Sequence, residues 1–275
     1  MKKPISATFA TAAIAMASLG SASAVVIATD DFNTYSTGAL GPSNGGSAGA
    51  GWSGAWSGAT SPGTAIVTTT SLAPTTSGNR VVVSGASTGS ALPLRFLTNY
   101  LNTATVYLGF VFRNETTSIR STGLSLSSDA SDKAFIGISS FYETRRLGIL
   151  GGTNSALSST TVANGTTYRL VVKLQFDVSS GNEVLNLFIN QATEGVADAT
   201  ATYDFFGLSG NNNQGINRVG LFAGGTMGDQ AFTTSSFDSI KFATTYAEAM
   251  TVPEPSFAML IGSFGAIALL RRRRV

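Results

Sequence analysis

Thr167-Tyr168-Arg169-Leu170-Val171-Val172-Lys173-Leu174-Gln175-Phe176-Asp177 is followed by Val178-Ser179-Ser180-Gly181-Asn182 and then by Glu183-Val184-Leu185-Asn186-Leu187-Phe188-Ile189-Asn190. In the first piece, two-residue alternation places Leu170, Val172, Leu174 and Phe176 on one face of a strand. In the last piece it does the same for Leu185, Leu187 and Ile189, although Val184 and Phe188 make that strand apolar on both faces. The Ser/Gly/Asn stretch between them is a hairpin turn. An antiparallel pair with one face for a core is the unit from which the fold is read.

Outward from this hairpin the same texture continues. Residues 65–70, 80–83, 105–113, 118–126, 134–141, 146–150, 218–223 and 237–243 read as short strands separated by Gly/Ser/Asn turns. Helical periodicity extends no further than a single turn at 97–101. Many short strands with turn signals at this spacing predict an all-β sandwich or barrel.

The two ends of the chain read differently. Lys2 and Lys3 precede an apolar, alanine-rich stretch through Leu19, and Ala22-Ser23-Ala24 offers small residues at both key positions. This is the layout of a signal peptide, with cleavage by signal peptidase expected after Ala24. Residues 1–24 are thus a signal helix, 25–250 the β-sandwich domain and 251–275 a tail. In the tail, Pro253 and Pro255 fix φ and remove donors, and each biases the residue before it toward extended backbone. Residues 252–255 therefore read as an exposed, extended segment that a processing enzyme can grip. The 14-residue apolar run from Phe257 to Leu270 reaches about 21 Å as a helix, short of the roughly 30 Å hydrocarbon core. It can insert with help from flanking residues and bilayer thinning, but it is a poor permanent span. Arg271, Arg272, Arg273 and Arg274 hold the C-terminus on the cytoplasmic side and leave the main domain outside.

Pro253-Glu254-Pro255, the apolar helix and the arginine cluster, in that order, closely resemble the PEP-CTERM sorting signal of bacterial exported proteins. The resemblance implies recognition by an exosortase, a membrane cysteine protease, and cutting at the motif. It also implies transient anchoring through the C-terminal helix and delivery to the envelope or extracellular matrix, often alongside extracellular polysaccharide.

Composition removes several chemistries. The chain has no cysteine and no histidine. Disulfides, thiol catalysis, serine catalysis with a histidine base and histidine-held zinc are excluded. Charged residues are 12%, about half the usual share, so Ser, Thr, Asn and Gly supply the polar surface. Six of the 17 basic residues sit in the targeting ends, leaving 11 against 15 acidic ones, a net charge of −4, or −3 without Glu254. The pI near 9.0 belongs to the targeting segments, and no nucleic-acid partner is implied.

A second resemblance covers most of the mature domain. Its pieces are Asp30-Asp31-Phe32, Gly51-Trp52-Ser53-Gly54-Ala55-Trp56, Val106-Tyr107-Leu108-Gly109-Phe110, the hairpin strands above and Phe237-Asp238-Ser239-Ile240-Lys241. They are similar to concanavalin A-like (laminin G-like) jelly rolls, an antiparallel β-sandwich family. That family includes carbohydrate binders, glucanases and modules without a known ligand, so the fold alone does not choose among them.

Hydrolysis would need paired carboxyls, roughly 5 Å apart for retention or 6.5–9.5 Å for inversion. The Glu-x-Asp-x-(x)-Glu strand of jelly-roll glucanases is missing. The nearest pairs, Asp129 with Asp132 and Asp177 with Glu183, flank turns, and a turn-forming role is the simpler reading. Calcium needs only oxygen ligands. Asp30, Asp31 and Asp238 are the candidates, because terminal strands pair in such jelly rolls. The competing role is turn capping beside Phe32 and Phe237.

Trp52 and Trp56, with Tyr35, Tyr142 and Tyr203 behind them, are the candidate sugar-stacking residues. Core filling is the competing role. Their Gly/Ser-rich surroundings predict one ring buried and one partly exposed. Arg145 and Arg146 read either as contacts for acidic polysaccharide or as charges protecting a hairpin edge. Asn114-Glu115-Thr116 and Asn164-Gly165-Thr166 read as turns.

The sequence thus predicts an exported, sorted, non-enzymatic protein acting as a structural or polysaccharide-associated module, with no obligate cofactor. A glycan-active enzyme of the same fold and an adhesion domain without a small ligand are the alternatives.

Overall fold

A computed structural model describes residues 24–72, 78–102, 105–128, 131–140, 144–150, 155–176, 183–203, 215–225 and 231–251. The stretch before Ala24 read as a signal peptide, residues 178–182 read as a turn, and the tail with Pro253, Glu254, Pro255 and Arg271 to Arg274 lie outside them. Among the described residues no helix is long and apolar enough to cross a membrane.

The strands in chain order are β1 (Val26–Asp30), β2 (Gly38–Ala39), β3 (Thr64–Thr68), β4 (Arg80–Ser84), β5 (Leu94–Leu101), β6 (Thr105–Asn114), β7 (Thr122–Ser128) and β8 (Ser131–Ile138). They continue with β9 (Arg146–Leu150), β10 (Ala156–Thr161), β11 (Thr167–Gln175), β12 (Glu183–Ile189), β13 (Ala199–Tyr203), β14 (Ile216–Ala223) and β15 (Thr234–Ala243). A five-residue helix, α1 (Tyr246–Met250), follows.

The strands form two antiparallel sheets. One has nine strands in the order β13-β12-β11-β6-β15-β4-β3-β2, with β1 also on β15. The other has six, in the order β10-β9-β8-β7-β14-β5. β4 pairs with the first half of β15 and β1 with the second, so these two strands share one edge of β15. The pairing of β15 with β6 shifts register between Asp238 and Lys241, where Ser239 takes φ 53°.

The core lies between the sheets, as alternation predicts. Leu170, Val172 and Leu174 of β11 and Leu185 and Leu187 of β12 face Leu124, Leu126, Ile136, Val219 and Leu221 in one buried cluster. Val171 and Phe188 point the other way and are buried as well, beneath α1. A Cβ at Gly109 would lie 2.0 Å from the Ala249 carbonyl oxygen, so the helix seats on the bare backbone of β6. Here the apolar outer face of β12 finds its cover.

Three sequence expectations need correction. Residues 97–101 belong to β5, not to a helical turn. Leu97 and Leu101, four apart, share a face in a strand as well as in a helix. Residues 118–121 precede β7 rather than open it, because Ser118 donates to the Ala231 carbonyl and caps the Arg120 amide. Arg145 and Arg146 do not guard a hairpin edge, since β9 is paired on both sides.

Candidate functional site

Trp52 and Trp56 are 1% and 0% exposed. The expectation that one ring stands partly free is therefore corrected. Their large apolar area is absorbed by the core, and each polar edge is matched. Trp52 donates through Nε1 to the Thr29 carbonyl at 2.8 Å, and Trp56 donates through Nε1 to Asp30 Oδ2 at 2.6 Å. Neither offers a face for sugar stacking.

Asp30 is the centre of this region. Its carboxylate also accepts from Tyr35 Oη at 2.7 Å, from the Phe32 amide at 3.0 Å and from Arg95 Nη1 in a buried ion pair. Arg95 spends its other donors on the Gly54 and Ser47 carbonyls and on Tyr35 Oη, with its guanidinium 4.7 Å above the Trp52 ring. The loop between β1 and β3 is thereby clasped onto β5, tying the two sheets at one edge. Gly46, at φ 78°, leaves room for this, since a Cβ there would meet Tyr35 Oη at 2.6 Å. Burial pushes the Asp30 carboxyl above the usual carboxylate range, and Arg95 and the three neutral donors oppose that push. The same burial, with Asp30 beside it, raises Tyr35. A cleft of about 410 Å³ opens above this network, between Asp31, Thr34 and the 46–50 loop.

The aspartates proposed for calcium do not converge. β1 does pair with β15, Asp30 opposite Ile240. Asp30 nonetheless points into the core toward Arg95, whereas Asp238 accepts from Ser71 Oγ at 2.7 Å and the Leu72 amide at 3.1 Å. Burial pushes Asp238 up to about 6, against hydrogen bonds that pull it down. Asp31 caps the Asn33 amide. Among the described residues, no group of three acidic side chains is placed to hold a metal ion.

Other carboxylates also have structural partners. Glu115 pairs with Arg113, Glu194 with Lys173 and Glu248 with Lys241. Asp198 accepts from the Ile189 amide. Glu183 is fully buried. Asp129, Asp177 and Tyr142, and the side chains of Asp132 and Tyr203, lie outside the described residues.

The outer face of the six-stranded sheet is built otherwise. Register aligns Leu150, Phe135, Ser125, Gly220 and Leu94 in one row across β9, β8, β7, β14 and β5. Beside it run Gly148, Gly137, Gly123 and Phe222 in a second row, and Ser127, Arg218 and Phe96 in a third. Phe135 and Phe222 meet edge to face at 5.8 Å, and the Arg218 guanidinium lies 4.6 Å over Phe96, itself 38% exposed. The Ser125 and Ser127 hydroxyls are buried without a hydrogen-bond partner, which is costly in a folded protein. The only acidic residue in these six strands is Asp132. This face was missed at the sequence level, although the alternation Leu124-Ser125-Leu126-Ser127 carries its signal.

No family model matches the sequence, and no curated protein is similar to it. Solved structures similar to the chain include the Trypanosoma rangeli sialidase, at 10% identity and a TM-score of 0.39 over 66% of this chain and 27% of the sialidase. Peanut lectin is similar at 8% identity and a TM-score of 0.36, over 66% of this chain and 97% of the lectin. A glycosyl hydrolase family 16 protein of Mycobacterium smegmatis is similar at 8% identity and a TM-score of 0.39, over 79% and 100%. Identities this low carry over no residue and no activity.

Proposed function

We propose that this is an exported, non-enzymatic, polysaccharide-associated module with a concanavalin A-like jelly roll, sorted to the envelope or matrix by its tail. The observation that supports the binding role is the outer face of the six-stranded sheet. It brings together the aromatic rings Phe96, Phe135 and Phe222 and the Arg218 guanidinium. Such a face offers apolar rings for stacking along a polymer. On this reading the face binds a glycan rather than cleaving it, which would call for a carboxyl pair. Export and sorting rest on the signal segment, on Pro253, Glu254 and Pro255, and on the terminal arginines.

The test is native affinity electrophoresis of the full chain in mild detergent, in gels containing alginate, laminarin or galactan. At least one polymer should retard the chain, and the Phe96→Ala/Phe222→Ala variant should weaken that retardation about tenfold. Equal retardation of the double variant, or release of new reducing ends from the polymer, would contradict the reading.

A further inference from the structure

We infer that a second site, a cleft at one end of the sandwich, takes a single neutral sugar residue; this rests on the polysaccharide reading above. The cleft holds about 560 Å³ between Glu115 to Ser118, which follow β6, Asn164 in the β10–β11 turn, and Ala231 and Phe232 before β15. Three separate segments build it, and hydrogen bonds fix the other two to the one that follows β6. Gly165 donates its amide to the Asn114 carbonyl at 2.9 Å, and Glu115 donates its own to the Thr234 carbonyl at 2.9 Å. Ser118 Oγ donates to the Ala231 carbonyl at 2.6 Å, and Arg145 Nη2 to the Thr116 carbonyl at 3.0 Å. The walls are thus set before any ligand arrives, which lowers the ordering cost of binding.

The lining suits a pyranose. Phe232 is 40% exposed, whereas Phe110, Phe112, Phe237 and Phe242 are at most 1% exposed. It presents an apolar ring to the C–H face of a sugar. Glu115 makes all its side-chain contacts, to Arg113 and Ser236, through Oε1, leaving Oε2 as an acceptor for a sugar hydroxyl. Thr117 and Asn164 line the same space, and their side chains can donate and accept. One aromatic plate with a few converging polar groups is the usual make-up of a small-molecule site. Glu115 is already paired with Arg113 through Oε1, but a uronate carboxylate at its remaining Oε2 would set acceptor against acceptor, so the ligand is neutral.

The experiment is saturation-transfer difference NMR on the full chain in mild detergent, with methyl β-glucopyranoside, methyl β-galactopyranoside and glucuronate as probes. At least one neutral glycoside should give signal, strongest on the ring protons of one face, and glucuronate should give none. Phe232→Ala and Asn164→Ala, both at exposed positions, should each weaken the response about tenfold while the thermal melt stays in place. No signal from either neutral glycoside, an equal signal from glucuronate, or unchanged binding by both variants would overturn the inference. Retardation by polymer that depends on Phe96 and Phe222, with no glycoside signal, would sink the cleft and leave the sheet-face reading standing. Loss of both results would sink both.

Discussion

The part of the nine-stranded sheet beneath α1 and the outer face of the six-stranded sheet are built in opposite ways. On the nine-stranded sheet, α1 covers Val171 and Phe188, and Tyr246 meets Tyr107 and Phe188 edge to face at 6.1 and 5.3 Å. The polar groups around it are matched. Glu194 takes hydrogen bonds from both Tyr107 and Lys173, and Lys241 donates to Thr251 beside Glu248. On the six-stranded sheet the outward residues are glycines, half-buried or exposed phenylalanines, an arginine and two serines without partners. The stretch beneath α1 is satisfied from within, although Thr29, Thr68 and Arg80 elsewhere on the nine-stranded sheet each leave a buried side-chain atom without a partner. A face that leaves aromatic rings half exposed, with no helix among the described residues laid over them, is the one on which an external ligand gains most.

The largest expected effect comes from the clasp that holds the sheets in register. Arg95→Met leaves Asp30 buried without its counter-ion and should cost about 3–5 kcal/mol. Adding Asp30→Asn should recover part of that loss, because the stranded charge is gone. A thermal or urea melt checks both. If the single variant melts with the wild type, the clasp contributes nothing to joining the sheets.

Next in size is Asp238, on the closed sheet. Its pKa is pushed from 3.8 to about 6 by burial, so the folded chain binds the proton more tightly than the unfolded chain. The resulting stability is fully present below about pH 4 and is lost as pH rises through about 6, a difference on the order of 2–3 kcal/mol. Urea melts at pH 5 and pH 7 should show the wild type less stable at the higher value. Asp238→Asn should remove this share of the slope, and an unaltered slope in the variant would contradict the assignment.

The smallest effect sharpens the contrast most. Ser125→Ala and Ser127→Ala remove hydroxyls that bond to nothing, so each should be neutral or stabilising by up to about 1 kcal/mol. If either variant loses stability, its hydroxyl has a partner and the open face is not open.

Much of this architecture could be read from sequence alternation. The strands β3, β4, β6, β9, β11, β12, β14 and β15 were foreseen, and β7 and β8 with their bounds shifted by a few residues, because each has an apolar face. β1, β2, β10 and β13 were not. β10 reads Ala-Leu-Ser-Ser-Thr-Thr and β13 Ala-Thr-Ala-Thr-Tyr, and such small polar residues become strands only through their neighbours. α1 was missed because five residues carry no helical period.

The candidate site was less legible still. Trp52 and Trp56 sit among glycines in sequence, which suggested exposure. Their packing comes from Phe32 and Phe242, Trp56 on Phe32 and Trp52 on Phe242, and from Arg95 above Trp52, far away in the chain or across it. Asp30 and Arg95 are 65 residues apart, and nothing local marks them as partners. Phe96, Phe135 and Phe222 come from three strands, so their shared face exists only once β5, β14, β7 and β8 are in register.

Hydrogen–deuterium exchange mass spectrometry of the full chain, with and without the polymer that retards it, tests the central contrast most directly. Peptides covering β7 and β14 should gain protection, while exchange in peptides covering β11, β12 and α1 stays unchanged. Protection confined to the nine-stranded sheet and α1, with β7 and β14 unchanged, would contradict it.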